Sequence, residues 1–388
     1  MPICSSWWIP ISALCVIFVG IFVSRLSDDF KVEIFIWQTP PKYENELRRN
    51  KALANEEILM KGDILGPESI VVEGEMFYTG TMDGKLLRVE KDGLKKKILK
   101  TNLTPSIILG IRRLNKNYFV AIDMFNGIFI VNFDTGEVKL LLQTGTNING
   151  FQINIPNDLD ILDENTIFFS DVSSRWDTSH FSYCALESGF TGRVYKYQIS
   201  TQELELVLDK IFCANGIQIL PDRQSFLVSE MCAARVTKYY FTGPQKGHRE
   251  IFVDNLPGYP DNIRLSNTGT VYVPMGGVRH PDMSSYIEIL GPYSWLRRMI
   301  MQIIPVKWLN SWVYNQLFSI KYGLVLEYAL NGTLLRSLHD PCGVAHKISQ
   351  VTDDGTNLYL GSFENDFIVK VNKTEMERKL LTKEDTNL

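Results

Sequence analysis

Histidine is scarce in this 388-residue chain, with five in all and none before His180. An imidazole-based centre therefore has nothing to draw on in the first half of the sequence. No Cys-x-x-Cys occurs, so a zinc-ribbon or thioredoxin-type reading has no footing. No Gly-x-Ser-x-Gly is present, which removes the nucleophile elbow of a serine hydrolase. Lys+Arg number 40 against Asp+Glu 44, a formal net charge of −4, with no extended basic stripe. Nucleic acid is not an expected partner.

Charge is also missing from the run WWIPISALCVIFVGIFV, Trp7–Val23. Its length sits at the short end of the roughly 17–25 residues that span a bilayer. The Trp pair suits the headgroup region, and Arg25 ends the run. A retained signal anchor over residues 7–24 is the expected reading, and a cleaved signal peptide is the rival. Three Asn-x-Thr sequons, at Asn102, Asn331 and Asn372, are usable only on the lumenal side of the secretory pathway. Cys184, Cys213, Cys232 and Cys342 follow the anchor and allow one or two disulfides or buried thiols.

Past a polar stretch to Asn50, the chain repeats itself. GPESIVVEGEMFYTGTMDGKLLRVEKDGLKKKIL (66–99), ILGIRRLNKNYFVAIDMFNGIFIVNFDTGEVKLLL (108–142) and ANGIQILPDRQSFLVSEMCAARVTKYYFTGPQKGHREIFV (214–253) each hold four short strand-like runs. Asp-Gly, Asn-Gly and Thr-Gly turns separate the runs. Units of about 40 residues with four strands are propeller blades. Six such units are countable, and the short run near Glu56–Met60 is placed to supply a missing outer strand and close the ring. A sandwich is the alternative, but it explains no fixed repeat phase. The expectation is an all-β six-bladed β-propeller over residues 51–375, flanked by a 25–50 juxtamembrane linker and a polar tail at 376–388.

Residues 279–322 break the pattern with SWLRRMIMQIIPVKWLNSWVYNQLF, rich in Trp, Ile and Met. Helical spacing of Trp295, Met299 and Ile303 gives one apolar face. That face packs on the blade below, forms a lid, or dips into a membrane interface. A shorter interruption, SSRWDTSHFSYCALESGF, is placed to wall the same mouth.

The innermost strands of a propeller line one axis, so residues of equal phase in different blades converge there. Glu68 of GPES, Asn157 of PND, Asn215 of ANG and Asp261 of PDN share that phase, with Asn262 adjacent. Two unpaired carboxylates would resist burial in such a tunnel. A divalent cation cancels them, and neutral amide oxygens complete its shell. Oxygen-only donors select a hard ion, and this mixture suits Ca²⁺ better than Mg²⁺. The competing account is that each Asn or Asp simply caps a turn at a strand start.

Across about 66–373 the chain resembles the strictosidine synthase-like, paraoxonase and gluconolactonase superfamily of six-bladed propellers. GRVYKYQISTQELELVLD, FCANGIQILPDRQSFLVSEMCAARVTKYYFTGPQKG, LPGYPDNIR, RSLHDP and LYLGSF carry the likeness. The resemblance implies a single-pass (type II) protein with its propeller lumenal or extracellular, in the endoplasmic reticulum or plasma membrane. It also implies arylesterase-type activity, with calcium ligands at Glu68, Asn157, Asn215, Asp261 and Asn262. Asp261 matches the Asp thought to double as general base. Two family features are missing. The paraoxonase-type His pair belongs to the second blade, ahead of His180, and 341–355 contains no Glu for strictosidine-type condensation. Ile348 stands at that Glu position, and His339 and His346 are the late-blade candidates for an auxiliary acid or base.

Two functions remain open on sequence. One is a membrane-anchored, calcium-dependent hydrolase of an apolar ester or lactone, with the membrane met by the N-terminal run and by the 279–322 insertion. The other is a non-catalytic scaffold for a protein or lipid partner, with a structural calcium.

Overall fold

The computed structural model describes residues 29–381 except 55, 92–95, 281 and 283. The expected anchor at 7–24 and the tail at 1–6 lie outside the described residues. Among the described residues, no helix is long and apolar enough to cross a membrane.

Six antiparallel meanders follow one another in chain order. Blade 1 begins at Ile70–Glu73, blade 2 at Ile108–Arg113, blade 3 at Pro156–Asp163 and blade 4 at Ala214–Ile219. Blade 5 opens on two short pieces, Gly258–Pro260 and Arg264–Leu265, and blade 6 on Ile348–Asp353. The outer strand of blade 6 is Glu57–Leu59, which pairs antiparallel with Ile368–Asn372, so the start of the propeller closes the ring onto its end.

Alternating apolar residues fill the seams between blades. Phe77 meets Tyr359 at 5.0 Å between ring centroids, Tyr78 meets Phe119 at 4.3 Å, and Phe168 meets Phe226 at 5.8 Å. Aromatic pairs of this kind contribute roughly 0.5–1.5 kcal/mol beyond the area they bury.

The stretch read as a juxtamembrane linker lies on the propeller as a strap. Phe30, Phe35, Trp37, Tyr43 and Leu47 pack against the largest apolar cluster. The Trp37 indole N–H donates to the Cys232 carbonyl at 2.9 Å, and the Ser337 hydroxyl donates to the Glu46 carbonyl at 2.7 Å. At the other end, Lys373–Leu381 forms a helix that buries Met376.

The 279–322 segment is helical, as its spacing predicts, with helices at Tyr286–Leu290, Ser294–Ile303 and Val306–Phe318. The orientation of the middle helix is the opposite of packing on the blade below. Arg297 and Met301 are its buried residues, whereas Trp295 and Ile303 are each 55% exposed. Arg297 turns inward because carbonyls receive it: it donates to those of Leu186, Glu33 and Gly291.

A candidate cation site on the propeller axis

Inner strands normally alternate their side chains between two faces. Here the pairing register shifts at the same place in several blades, between Ile108 and Ile111, Pro156 and Leu159, Ala214 and Ile217, and Ile348 and Gln350. Such bulges re-aim side chains. In blade 5 the strand breaks altogether. The Asp261 N–H bonds the Pro274 carbonyl within its own blade at 3.1 Å, and the Asn262 N–H crosses to the Ser349 carbonyl of blade 6 at 2.8 Å. Pro-Asp-Asn is thus an interruption that frees two adjacent polar side chains from strict alternation.

Backbones crowd the axis at this level. A Cβ on Gly216 would lie 2.3 Å from the Asp261 carbonyl oxygen, and one on Gly276 would lie 2.8 Å from Asp261 Oδ2. Glycine is therefore required at both points by close approach.

All five sequence-predicted residues are buried: Glu68, Asn157, Asn215, Asp261 and Asn262 are each 7% exposed or less. Glu68 interacts electrostatically with Asp261, the Asn262 amide lies beside Glu68, and the Asn215 amide lies beside Asp261. Neither amide reaches hydrogen-bonding geometry with its carboxylate. Asn157 Oδ1, Asn215 Oδ1, Asp261 Oδ1 and Asn262 Oδ1 are buried atoms with no hydrogen-bond partner. The Asn215 amide nitrogen meets only the Met231 sulfur, at 3.7 Å. An unpaired buried acceptor costs about 1–3 kcal/mol, and native interiors leave few of them. Three on residues of one phase, with a fourth on the adjacent Asn262, are a donor set lacking its acceptor.

Charge gives the same result. Below the mouth, Asp158 is matched by Arg264 through two bonds of 2.7 and 2.8 Å, and Asp160 lies 3.6 Å from Arg112. Each pair cancels. Glu68 and Asp261 have no such partner, so the column retains two negative charges. Without a cation, burial first, and then the charges of Asp261 and Asp158, push the Glu68 carboxyl well above its usual range. Burial and Asp158 do the same to Asp261. A bound dication would invert that logic.

Among the described residues no three His, Cys, Asp or Glu side chains gather to hold a metal. Any ion here must lean on amide oxygens, which is the chemistry of calcium rather than zinc.

Histidine takes no part in the donor set. His339 lies on Leu334–Asp340, the outer strand of blade 5, with Nδ1 2.8 Å from the Tyr322 hydroxyl and Nε2 2.8 Å from the Ser337 hydroxyl. His346 Nδ1 lies 3.2 Å from the Val344 carbonyl. Ile348 opens the inner strand of blade 6 and is buried.

The second strand of blade 5 ends at Val278, so the insertion rises from the mouth side. It meets the other interruption there. Asn310 accepts from the Ser182 N–H at 3.0 Å and donates to the Ser179 carbonyl at 2.7 Å. Beneath them, Phe363 lies 3.3 Å from the Gly276 Cβ position, beside Asp261, and its ring packs on Phe318 at 5.2 Å. The Lys347 amine donates to the Tyr314 hydroxyl at 3.1 Å and pairs with Glu364. The meeting of the two interruptions is as the sequence predicts, whereas Lys347, Phe363 and Glu364 of blade 6 carry no sequence signal for joining them. Cys213 and Cys232 form a disulfide on the neighbouring blade, while Cys184 and Cys342 are free thiols. The sequon residues Asn102, Asn331 and Asn372 are all exposed.

Comparison with known proteins agrees with this architecture. The family model for strictosidine synthase matches residues 157–244, and that for the strictosidine synthase-like N-terminal region matches 46–89. Adipocyte plasma membrane-associated protein of Danio rerio is 35% identical over 372 residues, spanning 92% of this chain and 87% of that protein. A gluconolactonase from Xanthomonas campestris superposes with a TM-score of 0.55 at 16% identity, covering 86% of this chain and 94% of the other. Regucalcin from Agrobacterium tumefaciens, a calcium-binding protein, gives 0.53 at 12% identity, covering 81% and 92%. At such identities these two superpositions establish the shared propeller and nothing finer.

Proposed function

The chain belongs to the strictosidine synthase-like family of adipocyte plasma membrane-associated proteins, and we propose that it is a membrane-associated, calcium-dependent hydrolase of apolar esters or lactones. The observation that carries this reading is the set of orphaned oxygens around two uncompensated carboxylates. Glu68, Asn157, Asn215, Asp261 and Asn262 would hold the ion. When bound, calcium polarises the substrate carbonyl and offsets the charge that builds on its oxygen. Asp261, with one oxygen toward the mouth-side Gly276, orients or deprotonates the attacking water. Phe363, which packs on Phe318 beside Asp261, favours an apolar acyl or aryl group there. The Cys213–Cys232 disulfide fits an oxidising compartment, in keeping with a propeller on the lumenal or extracellular side.

Asp261→Asn tests the assignment. The variant should lose aryl-ester hydrolysis while keeping the wild-type circular-dichroism spectrum, and full retained activity would remove Asp261 from the mechanism. A second reading is favoured by His339, whose ring nitrogens are both occupied and which takes no part in the axial site. On that reading the propeller is a scaffold with a structural calcium. A chelator would then lower thermal stability, and no ester or lactone in a broad panel would turn over above background.

A further inference from the structure

The outward face of the insertion has no function in the scheme above. Trp308 is 71% exposed, Trp295 and Ile303 55%, and Tyr293 50%. A soluble surface scatters such residues singly, but here they lie within 16 positions of one another. Trp295 and Ile303 lie two turns apart on one helix face, with Arg297 and Met301 on the buried face. Ile303, Pro305 and Trp308 form the corner into the next helix. From Tyr293 to Tyr322 the sequence carries Arg297, Arg298, Lys307 and Lys321 and no Asp or Glu, in a chain of net charge −4.

The strap adds to this surface. Ile34 and Ile36 are 62% and 69% exposed, while Phe35 and Trp37 point inward. The Phe35 N–H bonds the Gly291 carbonyl, and Arg297 donates to the Glu33 carbonyl, so the strap is fixed at the start of the same helix. The uncharged Trp7–Val23 run ends six residues before Asp29. Six residues reach at most about 20 Å.

We propose that the insertion face around Trp295, Ile303 and Trp308, together with Ile34 and Ile36, rests in the headgroup layer of a lipid bilayer. Trp and Ile enter the interface, and the stems of Lys307 and Lys321 lie along it with their amines at the phosphates. The mouth of the propeller is thereby held against the membrane. A second copy of the chain is the main rival occupant, but the short tether from an uncharged run selects the bilayer. This inference does not depend on hydrolysis.

The test uses the full chain in phosphatidylcholine–phosphatidylserine vesicles, with Cys4, Cys15 and Cys342 replaced by serine. Nitroxide labels are placed singly through Trp295→Cys and Trp308→Cys. Gln245→Cys, on an exposed loop at the opposite end of blade 4, is the reference. Labels at 295 and 308 should show a ratio of oxygen to water-soluble nickel accessibility several-fold above that at 245. Equal ratios would put the face in water, and shielding from both reagents would mean that protein covers it. Either result overturns the proposal, and two label positions guard against one local distortion.

Discussion

Replacing Glu68 with Gln should make the protein more stable without calcium and less stable with it. In the ion-free state Glu68 is buried beside Asp261 and near Asp158, so one carboxylate there opposes folding. Gln keeps the shape and removes the charge, which stabilises that state by roughly 1–2 kcal/mol. With calcium the balance reverses. A ligand present at a hundredfold excess over its Kd adds about 2.7 kcal/mol, and a site weakened a hundredfold retains only about 0.4 kcal/mol. For a domain this large a kcal/mol is worth about 2 °C of Tm, so calcium should raise the wild-type Tm by about 5 °C and that of the variant by about 1 °C. Differential scanning calorimetry in chelator and in millimolar calcium reads all four values. The two proteins should exchange order between the buffers. A wild-type Tm indifferent to calcium, or a variant less stable in both buffers by the same amount, would refute the charge argument.

Three further outcomes follow from the same packing. Arg264→Met leaves Asp158 buried without its bidentate partner and should cost about 3–5 kcal/mol in urea denaturation, most of it restored by adding Asp158→Asn. Burial first, and then Arg49, lower the His339 pKa to about 3, so the folded state holds a neutral imidazole that the unfolded chain protonates below about 6.5. Stability is complete above that value and falls by about 1.4 kcal/mol per pH unit from there toward 3, and His339→Gln should flatten the slope measured by chemical denaturation. Replacing both Cys213 and Cys232 with Ala opens a cross-link spanning 19 residues and should lower stability by about 3 kcal/mol, read as a shift in denaturation midpoint.

The blades were legible because their signals are local. Turn dipeptides and two-residue alternation recur in each unit, and even the closing strand near Glu57 had a place to go. The strap was not legible. Phe30, Val32, Phe35 and Trp37 are interleaved with Lys31 and Glu33, which reads as polar until a surface exists to receive the inward set. The burial of Arg297 was not legible for a related reason: only the carbonyls of Leu186, Glu33 and Gly291 explain it. One signal stood in plain view. VAID, FFSD and LVSE end the second strands of blades 2, 3 and 4 on an acid, and each acid accepts N–H groups from the chain entering its inner strand. Asp123 receives Ile107, Asp171 receives Ile155, and Glu230 receives Phe212.

Those acids bear on the axial site, because in blades 3 and 4 the acid fixes the backbone two or three residues ahead of the axial amide. Asn157 follows Ile155 by two residues, and Asn215 follows Phe212 by three. A donor oxygen supplied by a free loop would have to be ordered when the ion arrives, at an entropic cost of about 1–2 kcal/mol per residue. Here that ordering is completed on folding, by bonds that involve no donor atom of the site. In blades 3 and 4 the amides left unsatisfied are thus the best-anchored part of the ring. Glu230→Ala, which removes no donor oxygen, should therefore weaken calcium affinity as well as stability, whereas a loop-built site would lose stability alone. Calorimetric titration of calcium into the folded variant separates the two, and an unchanged Kd would show that the anchoring acids serve the fold and not the site.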